Sequence, residues 1–230
     1  MLKIPNSSNG VFDEKAMKIT KLGHCCLLIE TGGKRILTDP GAYSIEAQTG
    51  LVGIDFVLFT HDHADHFHLD SLKALIKNNL QMQIYANTSV GELLAKEGIA
   101  HFVVRNGENI EIGGVALQGI GTEHAVIYPS LPTPANTGFF IDNRLWYPGD
   151  AFTDPKRTIE IMALPVAGPW MRIDEAIDYA LQMRPKMCFP VHDGMLQPDR
   201  LGPVHALPEK LLDAEGIQFF PMVAGDIREF

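Results

Sequence analysis

The stretch THDHADH, residues 60–66, carries three of the nine histidines of this 230-residue chain. It follows IDFVLFT, residues 54–60, an apolar run of the length and continuity typical of a strand buried on both faces. It precedes DSLKALIKNN, residues 70–79, whose apolar residues recur at helical spacing and whose first turn has Asp70 or Ser71 as the predicted cap. The histidines therefore lie where a buried strand gives way to a helix.

The spacing of these side chains indicates a metal site. His61 and His63 are two residues apart, so an extended backbone would point both in the same direction. Asp65 and His66 follow where the chain turns toward the helix, and they can face a second direction. Imidazole and carboxylate groups suit zinc and its neighbours rather than calcium or magnesium. The pattern favours two metal ions side by side.

Three more imidazole or carboxylate side chains follow predicted strands elsewhere. His124 comes after VALQGIGTE, Asp150 after RLWYPG and His192 after KMCFPV. Strand ends present side chains at one rim of a sheet, where sites are commonly built. Taken alone, His124 is typical of a surface histidine, but the cluster needs further ligands. Asp150 is suited to bridge two ions.

The two halves of the chain share one order of elements: hairpin, strand, helix, strand. TGGK, residues 31–34, predicts the first hairpin turn, and Asp142-Asn143 predicts a second. This order predicts an α/β fold with two mixed β-sheets packed face to face and helices outside. We expect one domain over residues 1–230, with a polar leader at 1–16. The proline-rich loop 128–137 is expected to be stiff and to cover the site.

The composition of the chain excludes several classes of protein and of partner. The net charge is −9, and no segment is rich in Lys or Arg, so nucleic acid is not expected as a partner. No apolar run reaches the ~18 residues of a membrane span. Cys25, Cys26 and Cys188 lie in apolar runs, which predicts reduced core cysteines and a cytoplasmic location. The expected partner is a small-molecule substrate, and the sequence is compatible with a homo-oligomer. Three of the histidines outside these motifs are expected at the surface: His68, His101 and His205.

The motif His-x-His-x-Asp-His resembles the signature of the metallo-β-lactamase superfamily. Four other segments match that superfamily's motifs in order: TDP at 38–40, GTEH at 121–124, YPGD at 147–150 and PVH at 190–192. The chain also resembles the UlaG-like/YtkL-like branch of metal-dependent hydrolases. Three segments carry this second resemblance: LGHCCLLIE at 22–30, LPVAGPWM at 164–171 and RPKMCFPVHDGM at 184–195.

The resemblance implies an αββα sandwich with two metals at one edge of the paired sheets. It implies a first metal at His61, His63 and His124, and a second at Asp65, His66 and His192. Asp150 would bridge the two, and Asp39 would orient a ligand histidine. His24, in a Gly-His pair shared with the branch, and Tyr128, in the loop 128–137, are candidate substrate contacts.

These features favour a metal-dependent hydrolase. A metal-bound water has a pKa lowered from 15.7 to about 7, so a hydroxide held between two metals could attack an ester, lactone or phosphodiester bond. Asp65 is the expected proton shuttle. We expect Zn²⁺, with Mn²⁺ or Fe as alternatives. An iron-dependent redox enzyme and a non-catalytic metal-binding scaffold are the rival hypotheses, and metal analysis with substrate probes would separate the three.

Overall fold

The computed structural model describes residues 16–230, so the predicted polar leader lies outside the described residues except for its last residue. The strands are β1 (Lys18–Gly23), β2 (Cys26–Thr31), β3 (Lys34–Thr38), β4 (Phe56–Phe59), β5 (Gln83–Ala86), β6 (Phe102–Val103), β7 (Asn109–Ile112), β8 (Val115–Ile120), β9 (Gly138–Ile141), β10 (Leu145–Tyr147), β11 (Ile161–Pro165), β12 (Met187–Val191), β13 (Gln218–Phe219) and β14 (Ile227–Glu229). The helices are α1 (Ile45–Gln48), α2 (Leu69–Asn78), α3 (Thr88–Lys96), α4 (Ile173–Met183) and α5 (Gly202–Asp213), and a 3-10 turn spans Pro198–Arg200.

Two seven-stranded mixed sheets confirm the predicted fold class. The first has the order β14-β1-β2-β3-β4-β5-β6 and the second the order β13-β12-β11-β10-β9-β8-β7. In the first sheet the pairs from β14 to β3 are antiparallel, and those from β3 to β6 are parallel. In the second, the pairs from β7 to β10 are antiparallel, and those from β10 to β13 are parallel. The carboxyl ends of parallel neighbours meet at one edge of each sheet.

Side chains point alternately to the two faces of each strand, so the sheets separate one central hydrophobic core from two outer ones. Phe56 and Leu58 of β4 pack in the central core with Phe139 of β9, which joins the two sheets. Val57, between them, faces α2 and α3 in an outer core. Phe140 likewise packs toward α4 on the other side of the molecule. The layers therefore run helix, sheet, sheet, helix, as the sequence predicts.

Two histidines expected at the surface have structural roles. His68 caps α2, because its Nδ1 accepts a hydrogen bond from the backbone N–H of Ser71 at 3.3 Å; the predicted caps, Asp70 and Ser71, lie inside the helix. His205 on α5 is buried, and its Nε2 lies 2.8 Å from Asp193 Oδ2. The surface prediction for His205 was wrong because helical spacing alone does not show which face meets a buried carboxylate.

The predicted cysteine state agrees with the structure. Cys25, Cys26 and Cys188 are buried and unpaired. Burial raises the pKa of the Cys25 thiol to about 12, which disfavours the reactive thiolate. The cytoplasmic location inferred from these residues stays a prediction. Within residues 16–230, no helix has the length and apolar character needed to cross a membrane.

The chain after β3 runs very close to the turn that follows β4. The backbone N–H of Ala42 donates to the carbonyl oxygen of Ala64 at 2.8 Å. A Cβ on Gly41 would lie 1.8 Å from the carbonyl oxygen of Asp65, a distance no side chain tolerates. Glycine at position 41 therefore permits the contact that holds the histidine-rich turn in place.

We predict that Gly41→Ala lowers the free energy of unfolding by roughly 1–3 kcal/mol, because the backbone of Asp65 must move away. Urea unfolding measures the change. Gly50→Ala is the matched control, since a Cβ there meets no atom within 4 Å, and its effect should stay within about 0.5 kcal/mol. Equal effects of the two substitutions would contradict the close approach.

Candidate metal centre

The seven predicted ligands converge at the edge where the parallel strands of both sheets end. β4, β10 and β12 each end shortly before one or more of them, and His124 follows β8. Five of the side chains are buried, while Asp65 and His63 are partly exposed. Because the strands belong to two different sheets, only the packing of the sheets brings the full set together, namely His61, His63, Asp65, His66, His124, Asp150 and His192.

A first group of four donors has the composition of a metal site. His61, His63, His124 and Asp150 each offer one atom, and these atoms lie within 4.8 Å of one another. His61 Nε2 is 3.2 Å from His63 Nδ1, and His124 Nε2 is 3.3 Å from Asp150 Oδ2. Three imidazoles and one carboxylate are a donor set that zinc binds in proteins. This group matches the ligand set predicted for the first metal together with the bridging residue.

A second group of predicted ligands also approaches Asp150. His66 Nε2 is 3.1 Å from Asp150 Oδ1, and His192 Nε2 is 2.8 Å from Asp150 Oδ2. Asp65 Oδ2 lies 3.6 Å from His192 Nε2 and 3.9 Å from His66 Nε2. Asp150 therefore lies close to members of both groups, as a bridging carboxylate would. Ligation by these residues stays a prediction.

Backbone carbonyls orient two of the imidazoles. His124 Nδ1 lies 2.6 Å from the carbonyl oxygen of Ala125, and His192 Nδ1 lies 2.6 Å from that of Ala167. A carbonyl oxygen can only accept, so each Nδ1 carries the proton. The lone pair of each ring is then on Nε2, which faces the centre. This is how ligand histidines are commonly held.

Asp39 orients two further imidazoles, one directly and the other through the hydroxyl of Thr60. Its Oδ2 accepts from His66 Nδ1 at 2.8 Å and from the Thr60 hydroxyl at 2.7 Å. Since the Thr60 hydroxyl gives its proton to Asp39, its oxygen accepts from His61 Nδ1 at 2.9 Å. Asp39 is fully buried. The geometry agrees with the predicted supporting role and extends it to a second histidine.

Unpaired buried atoms mark the centre. Within residues 16–230, the buried side-chain N and O atoms without a hydrogen-bond partner are His66 Nε2, His124 Nε2, His192 Nε2 and Asp150 Oδ1. Buried polar atoms are normally paired, because leaving one unpaired costs about 1–3 kcal/mol. The three imidazole nitrogens lie 2.8–3.3 Å from an oxygen of Asp150 without forming a hydrogen bond, and cations between them would satisfy all four atoms. The donor set therefore fits the metals that the sequence predicts.

The charge states of His61, Asp65 and Asp150 suit ligation. Burial lowers the pKa of His61 well below its usual value, so its ring is neutral at pH 7. Burial raises the pKa of Asp150, but His66 and His192 outweigh it and hold that pKa well below its usual range. For Asp65 burial also opposes ionisation, yet a hydrogen bond from His24 contributes to a pKa of about 2.

His24 has the opposite protonation pattern. The backbone N–H of Gly194 donates to its Nδ1 at 3.1 Å, which leaves the proton on Nε2. That Nε2–H faces Asp65 Oδ2 at 3.1 Å. His24 is buried and does not line the cavity at the centre. In this arrangement it orients Asp65, and its predicted contact with substrate stays a prediction.

Trp170 is a residue that sequence reasoning did not place at the site. Its indole Nε1–H donates to Asp150 Oδ2 at 2.8 Å, and its ring meets those of His124 and His192 edge-on, with centroids 5.7 Å apart in both cases. The segment LPVAGPWM was singled out for its resemblance to a family branch. Trp170 has neither a titratable nor a ligating group, so nothing in its type indicated contact with Asp150.

A cavity of about 250 Å³ opens onto the centre, and its wall includes His63, Asp65, His124, Asp150 and His192. Ile127 lines it, but the next residue, Tyr128, does not and is 62% exposed.

The loop 128–137 contributes no residue to the cavity wall, so the prediction that it covers the site is not supported. Its end supports the site instead, since Asn136 Oδ1 accepts from the backbone N–H of Asp150 at 3.1 Å. A substrate contact by Tyr128 stays a prediction.

Similarity to known proteins shows the family to which the chain belongs. The model of the Beta-lactamase superfamily domain matches residues 18–192, from β1 to the last predicted ligand. The chain belongs to the metallo-β-lactamase superfamily. Its αββα fold is the one expected from the sequence motifs.

Relatives and solved structures agree with this superfamily. Protein Rv0786c of Mycobacterium tuberculosis is 34% identical over 191 residues, which cover 81% of this chain and 88% of that protein. UPF0173 metal-dependent hydrolase MJ1163 of Methanocaldococcus jannaschii is 28% identical over 187 residues, covering 76% and 83%. Igni18, a metallo hydrolase from Ignicoccus hospitalis, superposes with a TM-score of 0.73 at 20% identity, covering 94% of this chain and 99% of that one.

We predict that Trp170→Phe weakens metal binding by roughly 10-fold or more, because Asp150 loses the N–H that orients it while the aromatic packing remains. Titration of the metal-free protein with Zn²⁺ measures the affinity. Trp146→Phe is the matched control: its indole donates to the Tyr179 hydroxyl at 2.7 Å in an outer core. If both variants bind Zn²⁺ like the parent chain, the Trp170 hydrogen bond has no role in the centre.

Proposed function

We propose that this superfamily member, a metal-dependent hydrolase, holds two divalent cations and cleaves an ester, lactone or phosphodiester bond of a small molecule. The observation that carries the proposal is the set of unpaired, buried Nε2 atoms facing Asp150. The relatives named as metal-dependent hydrolases support the reaction class. Zn²⁺ is the proposed metal because imidazole and carboxylate donors suit it.

When bound, divalent cations would lower the pKa of a coordinated water and polarise the bond to be cleaved. The residues proposed to hold one cation are His61, His63 and His124, and those for the other are Asp65, His66 and His192. Asp150 would contact both.

Asp65 is proposed to accept and return a proton during the reaction. It is ionised at neutral pH, lies on the cavity wall and is partly exposed, so it can reach a water in the cavity. His24 positions it through the Nε2–H hydrogen bond. The carboxylate thus has one side held by protein and the other facing the cavity.

The experiment is a panel of neutral esters, lactones and phosphodiesters assayed with protein of known metal content. Turnover that is lost with a chelator and restored by Zn²⁺ or Mn²⁺ is expected. Iron retained after purification, with oxygen consumption and no hydrolysis, would favour the redox alternative, because histidine and carboxylate donors also bind iron. Tight metal binding with neither activity would favour a scaffold.

Asp150→Asn should remove both cations together, since one carboxylate is proposed to contact both and the amide lacks its charge. Elemental analysis after dialysis should fall from two metal equivalents to fewer than one. Asp62→Asn is the matched control, because Asp62 lies in the same motif but is exposed, and it should keep two equivalents. Two equivalents retained with unchanged affinity in Asp150→Asn would contradict the bridging role.

Metal retention should also depend on pH. The fold lowers the pKa of His61 and His63 through burial, so it favours their neutral rings. Their contribution to stability is complete above the unfolded pKa near ~6.5 and is lost as pH falls below it toward the folded values. Protons and metals compete for the same nitrogens in that range.

Melting curves of the Zn²⁺-bound protein should therefore fall more steeply between pH 7 and pH 5 than those of chelator-treated protein. Identical slopes for the two forms would mean that these histidines do not bind the metal.

A further inference from the structure

We propose that the substrate is a small uncharged ester or lactone whose apolar group lies against Tyr43, Ile127, Pro169 and Met195. The inference rests on the proposed hydrolase function and adds the class of molecule it takes. The cavity wall is proposed to favour neutral acyl or alkyl groups over groups that carry a carboxylate or phosphate.

The wall of the cavity beyond the predicted ligands is apolar. Tyr43 comes from the segment after β3, Ile127 from the chain after His124, Pro169 from the loop after β11 and Met195 from the turn after His192. Four separate segments thus each present an apolar side chain around the same opening. Tyr43 is 52% exposed and Met195 is 40% exposed, so both can cover an apolar ligand and remove its surface from water.

The charge of the cavity wall also favours an uncharged substrate. Among the described residues that line the cavity there is no lysine or arginine, and the charged groups are Asp65 and Asp150. The chain as a whole carries a net charge of −9. A carboxylate or phosphate placed away from the metals would therefore lose its hydration without gaining a cationic partner.

The volume of the cavity limits the size of the apolar group that it can hold. The cavity volume of about 250 Å³ lies below the ~300–1,000 Å³ of sites that enclose drug-sized ligands. The wall is therefore suited to an acyl or alkyl group of a few carbons.

The test compares two pairs of molecules with the same chain length. The p-nitrophenyl ester of butyric acid should be hydrolysed with a kcat/KM at least 10-fold higher than the mono-p-nitrophenyl ester of succinic acid. Butyrohydroxamic acid, which chelates metal and is not a substrate, should bind the Zn²⁺-loaded protein at least 10-fold more tightly than succinic monohydroxamic acid, measured by calorimetry. Equal or reversed preference in the binding pair overturns the inference.

The binding pair separates the two proposals. If no ester is hydrolysed but the butyryl compound still binds more tightly, the hydrolase proposal fails and the preference of the wall for an apolar group stands. If esters are hydrolysed without regard to the terminal carboxylate, the hydrolase proposal stands and this inference fails.

Ile127→Arg should reduce or reverse the preference, because it places a cation on the wall. Val126→Arg is the matched control, since Val126 is the preceding residue, 57% exposed and not on the wall. Met195→Lys tests the opposite side of the opening if Ile127→Arg does not fold. A shift as large in Val126→Arg as in the wall variants would show that overall charge, not the wall, sets the preference.

Discussion

The centre depends on one fully buried carboxylate, Asp39, at the end of β3. Its Oδ1 accepts from the backbone N–H of Thr60 at 2.8 Å, and its Oδ2 accepts from the Thr60 hydroxyl and from His66 Nδ1. The hydroxyl of Tyr147, from the opposite sheet, lies 2.7 Å from the same oxygen. One side chain thus ties together the ends of three strands, two of them in one sheet and one in the other. Burying a carboxylate is costly unless its lone pairs are satisfied, and here several donors from both sheets satisfy them.

A second buried network holds the turn after β12. Asp193 Oδ2 accepts from Lys21 Nζ at 2.7 Å and lies 2.8 Å from His205 Nε2. Burial lowers the pKa of Lys21, but the neighbouring Asp193 opposes that shift and favours the charged amine. The network fixes the residue between His192 and Gly194, and the N–H of Gly194 sets the protonation of His24. A helix and a strand remote from the cavity therefore help to position His24 and His192, whose ring centroids lie 4.2 Å apart and both of which approach Asp65 Oδ2.

The convergence of the seven candidate ligands could be predicted from the sequence because they follow strands and have chemically specific side chains. The fold could be predicted because the order of hairpin, strand and helix repeats in the two halves. Trp170 and His205 could not, since their roles arise from contacts across long sequence separations with Asp150 and Asp193. The course of loop 128–137, none of whose residues lines the cavity, could not be predicted either, because its prolines restrict the backbone without setting its direction.

Electrostatics links the metals to the substrate. Asp150 is buried among imidazoles, and burial alone would lower the pKa of His66, yet Asp150 raises it well above its usual value. The carboxylate therefore draws positive charge to its position, and a proton on His66 Nε2 competes with a metal for the same place. Two divalent cations bound there would outweigh the charges of Asp65 and Asp150, which are the charged groups of the cavity wall among the described residues, and a substrate oxygen that becomes negative in the reaction would offset part of the excess. Beyond the histidines and these carboxylates, what remains on the wall is apolar. Strong charge at the base of the cavity and an apolar opening are what a neutral substrate with one polar, reactive group requires.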